Sequence, residues 1–252
     1  MSSQASPLVY GSILCFGDSL TQHGYDVSKR GWVAQLSSSY IRKFDVISRG
    51  FGGYTSRWIL PLLPSILSQT KPRLLTILVG SNDAFLLPHP RHVPLTEYKE
   101  NIERLVDIVR TQSPGTKIIL ITPPSLGEKL FMTCNEYLGR THESVKACAD
   151  VMRRVASEQS LPCADLWAAV EAKAKEIGGD LDGYDAFCHD GVHLNAGGNQ
   201  LLFEVVMQTI KQHYPELDPD SIPFVVASQK DVSEALADGA DVETAVLNTK
   251  KL

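Results

Sequence analysis

Apolar and polar positions along this chain follow two alternating rhythms. Short runs rich in apolar and β-branched residues, at 8–16, 44–48, 74–79, 117–122 and 162–166, read as buried strands. Between them lie stretches with helical spacing, at 31–44, 98–112, 135–159 and 196–213. The clearest is 98–112, where Ile102, Leu105, Val106 and Val109 recur at i, i+3, i+4 and i+7. In 31–44, Trp32, Leu36 and Tyr40 fall on one face. Residues 56–68 are also helical in pattern, although Pro61 and Pro64 must occupy a first turn or break the helix. Strands alternating with amphipathic helices predict an α/β fold, a parallel sheet covered on both faces. Past His213 the chain turns polar and acidic, beginning with PELDPDSIPF. Residues 1–215 are expected to form one domain. Residues 216–252 are expected to form an extension, part helical at 231–237 and either docked or mobile.

Composition narrows the class. A chain of 252 residues, 43% of them hydrophobic, suits one large α/β domain whose core needs no disulfide or metal. None of its apolar runs approaches the roughly 20 residues that span a bilayer. Twenty-four basic against 29 acidic residues leave a net charge of −5 with no clustered basic face, which opposes nucleic-acid binding. Five cysteines without CxxC spacing, and an N-terminus lacking a basic region and cleavage signal, point to reduced thiols and a cytoplasmic location. The final Lys250-Lys251-Leu252 departs from the Ser-Lys-Leu form of a peroxisomal address at its first position. Oligomeric state is left open, a homo-oligomer included.

Four short segments carry chemistry, and each follows a predicted strand or leads into the last helix. Open α/β sheets place their sites at that carboxyl edge. In GDSLT (17–21), Ser19 sits at a strand-to-helix turn with its hydroxyl lifted clear of the sheet, beside amides able to receive an oxyanion. Taken alone, the same residues also make an ordinary helix cap. In GGYTS (52–56), adjacent glycines allow a backbone amide to be aimed into a cleft, or simply form a turn. In GSND (80–83), Asn82 is a neutral amide donor suited to an oxyanion, or the centre of an Asx-turn. In HDGVHLN (189–195), an aspartate three residues before a histidine can hold its Nδ1–H and leave Nε2 free as a base. His189, Asp190 and His193 also compose a metal-like set, but Gly191 interrupts any helix that would present them together. His89 and His92 are expected at the surface, and Asp18 and Asp83 are expected to brace their turns.

These segments resemble the four blocks of the GDSL, or SGNH, hydrolases. Together with HVPLTEY (92–98), TPP (122–124), NE (135–136) and DGVHLN, they are more closely similar to the isoamyl acetate-hydrolysing esterase branch. The resemblance spans about residues 10–210 and implies a flavodoxin-like three-layer α/β/α sandwich with a five-stranded parallel sheet. It also implies Ser19 as nucleophile, His193 as base and Asp190 as the residue that orients His193. The oxyanion hole would comprise the amides of Ser19 and Gly53 and the Asn82 side chain. In place of Arg49, in SRGFGG, many relatives carry an asparagine. The implied reaction is hydrolysis of a small-molecule ester through an acyl-enzyme, with no metal or organic cofactor.

The sequence contains no Gly-x-Ser-x-Gly elbow, no P-loop and no GxGxxG, which removes the common alternatives for an α/β sheet. Loops 84–94, 123–134 and 180–188 offer Phe85, Leu86, Leu87, Leu130, Phe131, Met132, Tyr184 and Phe187. They either line an apolar site or anchor the loops to the core. Short-chain acetate esters follow from the resemblance. Lysophospholipase, thioesterase and carbohydrate acetylesterase activities are alternatives with the same residues, and a catalytically silent scaffold is the third reading.

Overall fold

The computed structural model describes residues 8–134, 139–178 and 184–247. Five strands, β1 (Gly11–Gly17), β2 (Phe44–Gly50), β3 (Leu74–Leu78), β4 (Lys117–Ile121) and β5 (Cys163–Ala164), form one parallel sheet in the order β2-β1-β3-β4-β5. The helices are α1 (Ser19–Gln22), α2 (Trp32–Ser39), α3 (Ser56–Ile59), α4 (Leu63–Gln69), α5 (Leu95–Gln112), α6 (Glu128–Cys134), α7 (His142–Glu158), α8 (Leu166–Ile177), α9 (Ala196–His213), α10 (Gln229–Ala237) and α11 (Val242–Leu247).

The strands' period of two sorts their side chains into two cores. Leu14, Phe16, Leu75, Ile77, Ile118 and Leu120 face α4, α5 and α7. Ile13, Cys15, Leu74, Leu78, Ile119 and Ile121 face α2, α8 and α9. Every one of these strand residues is 3% exposed or less, so the central strands β1, β3 and β4 are sealed on both sides. The result is the expected α/β/α sandwich with the flavodoxin-like strand order.

Several boundaries differ from the sequence reading. Residues 8–10 lie outside β1 because β2 begins opposite Gly11, leaving them no strand to pair with. The 31–44 helix ends at Ser39, where a turn with Arg42 at φ 63° leads into β2. The 56–68 helix is broken into α3, a 3₁₀ turn (Leu60–Leu62) and α4, with Pro61 and Pro64 each admitted to a first turn. Of the helix expected over 135–159, residues 135–138 lie outside the described residues. Its described part starts only at His142, because Thr141 and Ser144 exchange hydrogen bonds as a capping box. The strand expected over 162–166 shrinks to two residues. Asp165 instead caps α8, whose Leu166, Val170 and Ala174 are buried at i, i+4 and i+8. Residues 214–227 pack against the α2–β2 corner: Tyr40 OH donates to the Leu217 carbonyl (2.6 Å), and Arg42 donates to Ala227 (2.9 Å) and lies over the Phe224 ring.

Three loops leave the carboxyl edge side by side, and buried polar contacts hold them. Asp18 caps α1 by accepting from the Leu20 amide at 2.9 Å, while its own amide donates to Leu78. Asp83 accepts from the Ser56 amide at 2.9 Å and from the Ser56 hydroxyl, tying the β3 loop to α3. Burial pushes Asp18 up to about 7, against the pull of the Leu20 hydrogen bond, and pushes Asp83 up to about 6, against its bonds from Ser56. Gly50 is where β2 meets α1. A Cβ there would lie 1.9 Å from the Gln22 amide nitrogen and 2.4 Å from its Cα.

Two outcomes follow from these contacts. Gly50→Ala forces backbone against backbone and should lower unfolding free energy by about 2–3 kcal/mol in a denaturant titration. Gly115→Ala, with open space around the added carbon, should leave it within about 0.5 kcal/mol. Asp18 holds its proton more tightly folded than unfolded. Its contribution is therefore complete below the ordinary value of 3.8 and is lost as pH rises through about 7. Relative to Asp18→Asn, which keeps the capping oxygen, the wild-type melting temperature should fall between about pH 4 and pH 7 and level off above that range. Parallel pH profiles would contradict this.

Candidate active site

The GDSLT, GGYTS, GSND and HDGVHLN segments converge at the carboxyl edge. Ser19 is the first residue of α1 and is 7% exposed. The Phe51 amide donates to the Gly17 carbonyl (2.9 Å) and the Gly52 amide to Gln22 Oε1 (2.7 Å), which lays the β2 loop along α1. Gly53 takes φ +77°, a backbone that a side chain would strain, so the glycine is required there by conformation. Asn82 Nδ2 donates to the Tyr54 carbonyl at 2.9 Å, so the β3 loop abuts the Gly53 turn.

The fourth segment is a tight loop closed by a bridge between Cys188 and Leu194 and by the His189 amide donating to the His193 carbonyl. Gly191, at φ +86°, turns the chain so that Asp190 faces back along it. Asp190 Oδ1 accepts from the Val192 and His193 amides at 3.0 and 2.7 Å. Its Oδ2 lies 2.6 Å from His193 Nδ1, and His193 Nε2 lies 2.9 Å from Ser19 Oγ. A carboxylate only accepts, so Nδ1 carries the proton and Nε2 presents a lone pair to the serine hydroxyl. Burial alone would raise the Asp190 carboxyl. The bonds from the His193 ring and from the two amides outweigh burial and hold it well below the usual carboxylate range. At neutral pH this chain of contacts can take a proton from Ser19 and stabilise the resulting imidazolium.

Ser19, Asp190 and His193 therefore touch in series, and Gly53 and Asn82 adjoin each other through Tyr54. The Asn195 side chain accepts from the Gly197 and Gly198 amides and so caps α9. His189, Asp190 and His193 do come together without a helix, with ligand-type atoms within 4.8 Å of one another. Both His193 nitrogens already face partners, so a metal there would have to displace Asp190 or Ser19.

Sequence reasoning did not single out three neighbours. The His23 ring meets His193 edge-on at 5.2 Å, and burial together with the nearby His193 lowers its pKa. Buried Arg140 donates to the Ser81 carbonyl and lies over Phe85. Arg91 Nη1 reaches Asn82 Oδ1 at 3.3 Å. His23 could have been found one helical turn after Ser19, whereas the arginines carry no local signal. A groove of about 760 Å³ beside Gly53 is walled by Tyr54, Trp58, Pro61, Pro90 and Arg91. None of the eight apolar loop residues offered by the sequence lines it. Phe85 and Phe131 are buried, Leu87 is 73% exposed, and Tyr184 and Phe187 pack towards the α8–α9 core.

Comparison with known proteins accords with this arrangement. Residues 15–201 match the GDSL-like Lipase/Acylhydrolase family. The isoamyl acetate-hydrolyzing esterase 1 homolog of Bos taurus is 31% identical over 244 residues, covering 92% of each chain. The isoamyl acetate-hydrolyzing esterase of Saccharomyces cerevisiae is 29% identical over 92% of this chain and 98% of its own. The lipase/acylhydrolase of Enterococcus faecalis superposes with a TM-score of 0.62 at 25% identity, over 80% of this chain and 96% of that one. A match running from β1 to α9, across every segment that meets at this edge, makes the protein a member of the GDSL-like lipase/acylhydrolase family and a carboxylic ester hydrolase.

Proposed function

We propose that the enzyme cleaves short-chain, acetate-type esters through an acyl-enzyme on Ser19, with isoamyl acetate-like esters favoured. The observation that carries the mechanism is the relay from Ser19 Oγ to His193 to Asp190, at 2.9 and 2.6 Å. His193 Nε2 takes the hydroxyl proton as Ser19 Oγ bonds to the ester carbonyl carbon. The carbonyl oxygen, now negative, enters a hole formed by the Ser19 and Gly53 amides and the Asn82 side chain. When the ester C–O bond breaks, His193 returns the proton to the departing alcohol. It then activates a water that releases the acid. Asp190 stays ionised throughout and fixes the imidazole tautomer.

The substrate preference rests on the relatives named as isoamyl acetate-hydrolyzing esterases. The aromatic and proline side chains of the groove, whose wall they share with Arg57, His89 and Arg91, suit a small apolar group. No helix among the described residues is long and apolar enough to cross a membrane. We place the enzyme in the cytoplasm on its five unpaired thiols.

A series of p-nitrophenyl esters from acetate to palmitate should be cleaved at the short end only. Ser19→Ala should lose about 10⁴-fold or more in kcat/KM without a change in melting temperature. Asn82→Ala should lose about 10²–10³-fold in kcat. Full turnover by Ser19→Ala would exclude the relay. A long-chain optimum would move the assignment to a lipid ester or thioester, with the same residues.

A further inference from the structure

The loop joining β3 to α5 returns over the Gly53 turn, and its contacts are specific. The Val93 amide donates to the Asp83 carbonyl (3.2 Å), and the His92 ring sits 2.6 Å from the Phe85 carbonyl. The Arg91 guanidinium lies 4.4 Å over the Phe85 ring, a cation–π contact that fixes its approach. Its Nη1 thereby comes 3.3 Å from Asn82 Oδ1 and 3.6 Å from where a Cβ on Gly53 would stand. Among the described residues, no carboxylate pairs with Arg91.

A guanidinium only donates and a backbone carbonyl only accepts. Arg91 on one side and Tyr54 on the other therefore leave the Asn82 amide a single orientation, with Oδ1 towards Arg91 and Nδ2 towards Tyr54. Nδ2 carries two N–H groups. Tyr54 takes one, and the other has no hydrogen-bond partner among the described residues.

We propose that Arg91 is a positioning residue for ester hydrolysis, holding and polarising the Asn82 amide so that its free N–H meets the oxyanion. The proposal rests on the reading of Asn82 as an oxyanion donor. A cation bonded to an amide oxygen draws electron density from the nitrogen and strengthens its N–H as a donor. That gain is greatest when the acceptor carries charge, in the tetrahedral state and not in the bound ester. The effect therefore falls on kcat and not on KM.

The test is a double-mutant cycle on p-nitrophenyl acetate, combined with inhibition by a trifluoromethyl ketone, which becomes an oxyanion when Ser19 adds to it. Arg91→Met should lower kcat about tenfold with KM within about twofold, and should weaken the inhibitor by the same factor. Arg91→Lys, which keeps a charged donor, should recover most of that loss. In an Asn82→Ala background, Arg91→Met should cost no more than about twofold further. A full tenfold loss in that background would overturn the proposal, as would a change confined to KM, which would mark Arg91 as a substrate-binding group. Should Asn82→Ala leave kcat intact while Ser19→Ala abolishes it, the oxyanion role of Asn82 falls and this proposal with it. Failure of Ser19→Ala to lose activity would instead refute the serine mechanism itself.

Discussion

Burial of the central strands on both faces is the constraint from which the rest of this structure follows. Because β1, β3 and β4 present apolar side chains to two layers of helices, each crossover must carry a helix back across the sheet, and the strands must run parallel. All strands then end at the same edge. Residues far apart in sequence, Ser19 and His193 among them, meet there without any long-range attraction between the groups themselves. The site is a consequence of packing, refined by a small number of polar contacts.

Those contacts divide the carboxyl groups by environment. Asp190 gathers three hydrogen-bond donors and stays ionised, as its role beside an imidazole demands. Asp18 and Asp83 are fully enclosed beneath the same loops and are biased towards the protonated form, although each is one residue from a group at the edge. Near the reacting centre, Arg91 and Arg140 add positive charge beside the Asp190–His193 pair, while Asp18 and Asp83 ionise less readily than ordinary carboxylates. An arrangement of this kind favours a negative oxygen developing on the Gly53–Asn82 side.

The parts of the fold encoded by local periodicity were legible in the sequence. The strands over 74–79 and 117–122 end within a residue of expectation, and the last helix spans residues 196–213 as read. The site segments were legible for the same reason, since GDSLT, GSND and HDGVHLN each follow or precede a clear apolar run. Other features depended on contacts between distant residues. Helix α8 was obscured because Asp165, which looks like the end of a strand, serves as a cap. The start of α7 was set by the Thr141–Ser144 box and not by apolar spacing. Arg91 carries no periodic signal, and its place beside Asn82 arises only once the Phe85 ring has fixed the loop. The groove walls likewise come from α3 and the proline loop, whereas the sequence offered bulky apolar residues elsewhere.

The central claim is that Ser19 itself carries the acyl group, and trapping that intermediate tests it most directly. The enzyme should be mixed with p-nitrophenyl acetate, quenched in acid within the first turnovers, and digested for mass spectrometry. The account predicts one added acetyl group on the peptide containing Ser19, formed with a burst of p-nitrophenol and absent from Ser19→Ala. Acetylation of a different residue, or steady turnover with no covalent species at any quench time, would contradict it.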